Sequence, residues 1–272
     1  MCVCRQRPGN ACKPNEYLCS TDNDEQKFMR KIVALLVTNG AKGSLFAYGE
    51  GGGAALAQQL AVNADASLPI KGVWAAAGQL LAAPARSGPG QRNFNQPNAS
   101  RGTPRQVAQC ASHGTADSVV PYGGGRSALH KLCGECRLMT EPASDKTWAL
   151  HNGCSGQLTS TAVRATYRSP RPSGKPLTVE TTAVHHVWGG CPTAAPVEWF
   201  EVKNATHGSV ETIGGTPLVE VALSWFARVE AAVAPTKPEE GSDLNLAIQA
   251  IVCGIALLVV CGIMFACVCA TR

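Results

Sequence analysis

The chain has 272 residues with a formal net charge of +5 and only 16% charged residues, and it contains no basic run, which excludes nucleic-acid binding as its business. A hydrophobic content of 45% suffices for one α/β domain of ordinary size plus appendages, and excludes a disordered chain. Thirteen cysteines and the two sequons at Asn98 and Asn204 favour an oxidising, secretory environment.

The N-terminal segment, residues 1–21, holds Cys2, Cys4, Cys12 and Cys19 among Arg, Lys and Pro, and lacks the apolar core of a signal peptide. A lumenal domain then requires either a start further upstream or insertion directed by the C-terminal apolar run. The cysteine spacing fits no common zinc pattern, leaving disulfides or an unstructured start as the readings, and no cofactor is expected. From Asp22 to Val37 the pattern predicts a helix, capped by Asp22 or Asp24, with Phe28, Ile32, Leu35 and Leu36 on one face.

The most informative stretch follows. Ser44 to Tyr48 has strand length and apolarity, Gly49-Glu50-Gly51-Gly52-Gly53 predicts a tight turn, and AALAQQLA restarts as a helix. A strand–turn–helix of this kind can be an ordinary βα turn. It can also be the nucleophile elbow G-x-S-x-G, in which case Gly51 stands where the serine belongs. Ile70 to Ala77 predicts a second buried strand, and residues 85–104, rich in Gly, Pro, Asn and Arg, an exposed loop around the Asn98 sequon.

A third strand, Gln106 to Ser112, runs into HGTADSVVPY. Asp117 by itself reads as a turn cap, but downstream of an elbow it occupies the position of a triad carboxylate. Residues 126–196 are expected as an insertion with Cys133, Cys136, Cys154 and Cys191. Two β-prone runs in it, Thr161 to Tyr167 and Thr178 to Trp188, are separated by a hairpin signal, SPRPSGKP. His185-His186 should alternate in and out along the second run, with no metal role, and Cys133 and Cys136 read as structural bridges rather than a redox pair. Val197 to Val202 predicts the last strand, and His207 lies on the loop after it. The order elbow, Asp, His is that of an α/β-hydrolase rather than of chymotrypsin or subtilisin. Pro217 to Val229 predicts a closing helix.

Between Cys19 and Val229 the chain resembles the polyhydroxybutyrate depolymerase and feruloyl esterase family of secreted α/β-hydrolases. The resemblance is carried by YGEGGGAALAQQLA, IKGVWAAAG, HGTADSVVPY, WALHNGC, the GGC ending at Cys191, and VEWFEVKNATHG. It implies a disulfide between Cys154 and Cys191, a catalytic role for Asp117 and His207, and a nucleophile at position 51, where this chain has glycine. It also implies strands before the elbow, which would need more residues than precede it here, so the expected fold is an N-terminally incomplete α/β-hydrolase. The family's aromatic after the histidine is replaced by Gly208-Ser209-Val210. Glu50 is a conceivable carboxylate nucleophile, although it lies in the wrong place in the frame.

After a Pro- and Glu-rich linker, residues 231–243, the run from Leu244 to Ala270 carries no charge. As a helix, Leu246 to Val268 would rise about 34 Å, enough for a hydrocarbon core of about 30 Å. A single membrane span is therefore expected, with the domain on the lumenal or extracellular side; a glycolipid-anchor signal is the competing reading. Two functional expectations result: a membrane-anchored, catalytically inactive domain that binds an ester, carbohydrate or protein ligand, or an active carboxylic ester hydrolase.

Overall fold

A computed structural model describes residues 24–39, 44–62, 64, 68–83, 106–126, 137–169, 174–233, 258–260 and 263–268. The cysteines of the N-terminal segment, the Asn98 sequon, Cys133, Cys136 and most of the expected linker and apolar run lie outside the described residues.

The architecture is mixed α/β. Four strands, β1 (Ser44–Glu50), β2 (Ile70–Ala76), β4 (Ala108–Gly114) and β8 (Val197–Val202), pair in parallel in the order β8-β4-β2-β1. They are buried along nearly their whole length, as strands covered on both faces must be. Helix α2 (Gly52–Val62) makes the crossover from β1 to β2. A two-stranded pair, β3 (Leu81–Ala83) with β5 (Arg137–Leu138), precedes helix α3 (Glu141–Asn152).

The two β-prone runs of the expected insertion join the main sheet. β6 (Leu158–Ser169) and β7 (Leu177–Trp188) form a twelve-residue antiparallel hairpin, and β7 pairs directly with β8. β9 (Val210–Ile213) and β10 (Thr216–Pro217) extend the sheet past β6, and helix α4 (Leu218–Val233) closes the domain. The physical reason is backbone pairing: β8 would otherwise present an open edge, and the β-prone runs of the hairpin supply its partner.

Side chains from the two faces of the sheet form separate cores. On one face Phe46, Trp74, Phe200, Trp225 and Phe226 pack together, with the rings of Phe46 and Phe226 stacked at 4.8 Å. On the other, Leu45, Val73, Leu60, Ile70 and Trp148 pack with Met29 and Val33 of α1 (Asp24–Thr38). The buried stripe of α1 is thus rotated from the one expected. Met29 and Val33 are buried, whereas Phe28 and Leu35 are exposed, because the Met29, Ile32, Val33, Leu36 spacing is the better match to a helical face.

Of the expected span, only residues 258–260 and 263–268 are described. No helix among the described residues is long and apolar enough to cross a membrane. β11 (Leu258–Val260) and β12 (Ile263–Val268) form a hairpin, and β12 pairs antiparallel with the outer edge of β1. β1 has β2 on its other side, so an apolar strand at this edge satisfies backbone groups that would otherwise be unpaired.

Candidate functional site

Position 51 owes its geometry to close approach of backbone. At the end of β1 the chain turns so tightly into α2 that a side chain at Gly49 would collide with the Gly53 carbonyl. One at Gly78 would lie 2.6 Å from the Ala54 methyl. Gly51 sits at the apex with φ +54, its N–H donating to the Ala76 carbonyl at 2.8 Å and its carbonyl accepting from Ala54 and Ala55. Left-handed backbone at a turn is the conformation that glycine adopts without strain. The first-turn N–H groups of α2 begin at the next residue.

Two further loops converge on this turn. The one after β4 carries Asp117, and the one after β8 carries His207. They are held together by backbone: Thr115 donates to the Val202 carbonyl at 2.9 Å and Ala116 to the Ala205 carbonyl at 3.0 Å. Gly114 packs so closely on Ala205 that a side chain there would overlap its carbonyl. The Asn204 N–H also donates to the Thr115 hydroxyl at 2.9 Å, while Asn204 is exposed with φ +59, a conformation that asparagine tolerates.

The result is a linear arrangement. His207 Nδ1 donates to Asp117 Oδ2 at 2.8 Å, which fixes the tautomer of the neutral ring and leaves the Nε2 lone pair free to point away. That nitrogen lies over Gly51: a Cβ at position 51 would be 2.9 Å from Nε2 and 3.2 Å from Cε1. Gly51 is therefore buried beneath a ring whose side chain is 25% exposed. The three residues separated in sequence by 66 and 90 positions are thus brought together, Gly51 and Asp117 each touching the same imidazole.

Asp117 is 5% exposed and fully engaged. Its Oδ1 accepts from Val119 and Val120 N–H, each at 2.8 Å, and its Oδ2 faces both His207 and, at 3.3 Å, His113 Nε2. Burial opposes ionisation, but these hydrogen bonds outweigh it and hold the carboxyl well below the usual carboxylate range. Glu50, next to the turn, is displaced toward solvent; a Cβ at Gly208 would come within 2.5 Å of its Oε1. Crowding by protein atoms raises the Glu50 carboxyl, partly offset by His207.

Cys154 and Cys191 form a disulfide that ties the end of α3 to the turn before β8. Cys110, on β4, is a buried free thiol. His185 and His186 both prove half-buried rather than one in and one out. His185 stacks on Phe200 and bonds Glu198 at 2.8 Å, and His186 stacks on Trp199 and contacts Glu201 at 3.2 Å. Both belong to the sheet that the hairpin joins, and the stacked ring on each face leaves each only partly exposed. Among the described residues no three His, Cys, Asp or Glu side chains converge as a metal site.

Sequence reasoning missed α3, which contributes Glu141 and Asp145 behind the site. The signal was present: Thr140 caps the helix by accepting from Ala143, proline sits in its first turn, and Gly153 ends it with φ +77. His113, the first residue of the HGTAD motif, touches Asp117 directly. No protein-family model matches the chain, and no curated protein is found to be similar to it.

Proposed function

We propose that this chain is a membrane-tethered, esterase-like α/β-hydrolase domain that holds an ester or carbohydrate ligand without cleaving it. The observation that carries the reading is the His207 imidazole, oriented by Asp117, with its Nε2 lone pair directed over a glycine. The order of the elements, with the turn after β1, Asp117 after β4 and His207 after β8, supports the hydrolase likeness, as does the parallel order of the four central strands. A general base there has no hydroxyl to deprotonate on residue 51. It remains a hydrogen-bond acceptor suited to a ligand hydroxyl such as that of a phenol, sugar or hydroxy acid.

Loss of the serine in serine hydrolases costs on the order of a millionfold in turnover. The deciding measurement is hydrolysis of a phenolic and a short-chain ester by the full chain. No turnover above background is expected. Turnover by the native chain that disappears in His207→Ala would establish the competing reading, an active carboxylic ester hydrolase. The carboxylate beside His207 that could then serve is Glu50. The tether rests on the hydropathy of residues 244–270 and requires β11 and β12 to leave the edge of β1 and enter a bilayer as a helix; partition of the full chain into detergent tests it.

A further inference from the structure

Behind Asp117 lies a second, wholly buried histidine whose surroundings are chemically one-sided. His113 is 0% exposed, and both of its ring nitrogens face oxygen. Nε2 lies 2.8 Å from the Val120 carbonyl and 3.3 Å from Asp117 Oδ2; Nδ1 lies 2.8 Å from Glu141 Oε2. A neutral imidazole offers one N–H and one lone pair. The Val120 carbonyl accepts only, so Nε2 must carry a proton, and Nδ1 then meets a buried carboxyl on α3.

We propose that His113 is the positioning residue of this site, an imidazolium charged throughout neutral pH and clamped between Asp117 and Glu141, which fixes the carboxylate on which His207 turns. This rests on the reading of His207 and Asp117 as the acid–base pair of the cleft. It extends that pair into a chain of four groups, His207, Asp117, His113 and Glu141, running from the cleft into the core.

The surrounding charges fit. Two carboxylates buried within contact distance of each other's partner need a cation between them, because unpaired buried charge is expensive. The other groups facing His113 are Tyr122, whose ring meets it edge-on at 5.6 Å, and Asp145, one turn along α3 from Glu141. Asp145 is 0% exposed, and burial first, then the neighbouring Glu141, push its carboxyl well up, against Gln109 and His113, which favour the charged form. Glu201, in register with His113 on β8, is already engaged by His186 and Lys203. Burial opposes charging His113, but Glu141 and the hydrogen bonds to Asp117, Glu141 and Val120 overcome it, raising the ring to about 10.

The test is NMR of the full chain labelled with 15N at its six histidines, assigned by single substitutions. Two ring N–H protons on His113 from about pH 5 to 8, with no titration, are expected. A single ring proton at neutral pH overturns the proposal. In His113→Gln the midpoint of His207 should rise by about one pH unit, as Asp117 loses its neighbouring cation; an unchanged midpoint in a folded variant also overturns it. Should that variant fail to fold, Glu141→Gln decides: His113 should begin to titrate below about pH 8, and a ring that stays doubly protonated refutes the clamp. No substrate is involved, so failure of ester binding and failure of this inference give separate signatures.

Discussion

The turn after β1 and the hairpin half of the sheet contain the same chemical pair in different settings. His207 meets Asp117 at 2.8 Å, and His185 meets Glu198 at 2.8 Å. Around Glu198 the remaining partners are structural: Trp225 Nε1 at 3.2 Å and Arg228 at 2.6 Å, with the His185 ring stacked on Phe200. The Glu198 carboxyl is held low by these donors against the cost of burial. What distinguishes His207 is its second nitrogen, which faces a left-handed glycine turn, whereas the ring of His185 lies flat on Phe200. A histidine–carboxylate pair is therefore no evidence of a site; the direction of the free nitrogen is.

The sharpest way to break this comparison is to restore a hydroxyl at one end only. Gly51→Ser should gain ester turnover of about a thousandfold or more over the native chain, and the double variant with His207→Ala should lose it. His207 must shift to admit the new side chain, and the φ of +54 adds strain, so the variant should also be less stable by about 1–3 kcal/mol in denaturant titration. If Gly51→Ser gains nothing while folding normally, the cleft lacks more than a nucleophile.

Reduction of the Cys154–Cys191 bridge, which closes a separation of 37 residues, should cost about 2–4 kcal/mol. It loosens the hairpin side of the molecule, and urea unfolding with and without reductant measures it. His185→Ala should lower stability by about 1–2 kcal/mol, from lost stacking and a lost partner for a buried carboxylate, while leaving the turnover of a Gly51→Ser background intact. His207→Ala should show the reverse pattern, abolishing that turnover at little cost in stability.

A further effect is in the pH dependence. Folding raises the proton affinity of His113, so its contribution is fully present below the unfolded value near 6.5 and is lost as pH rises toward about 10. Folding lowers that of Asp117, whose contribution is present above about 3.9 and is lost as pH falls through its depressed folded value. The urea midpoint should accordingly decline on the alkaline side, and His113→Gln should flatten that limb and also weaken the acid one, because Asp117 loses a donor that holds its carboxyl low.

Much of this was legible in the residues. The glycines between Tyr48 and Ala54 announce a turn because no other residue allows strand and helix backbones to approach so closely, and β1, α2, β2, β4, β8 and α4 fall where apolar runs and breakers place them. Helix α3 was overlooked because its polar sequence carries little periodicity; its buried Glu141, Ser144, Asp145 and Asn152 are inward-facing positions filled by polar groups. Asn152 shows why such residues are easily misread, since it is buried only because it bonds the backbone of Val107 and Ala195.

Local chemistry thus determined which segments turn, cap and pair, and supplied Gly51, Asp117 and His207 in their order along the chain. Tertiary structure alone decided that the hairpin joins the main sheet, that β12 takes the edge of β1, and that His113 and Glu141 stand behind Asp117. Apart from the His113–Asp117 pair, four positions apart, these are contacts between residues 28 or more positions apart, or between strand edges that any apolar β-prone run could satisfy. Periodicity along the chain records which face of an element is buried, and carries no information about what it is buried against.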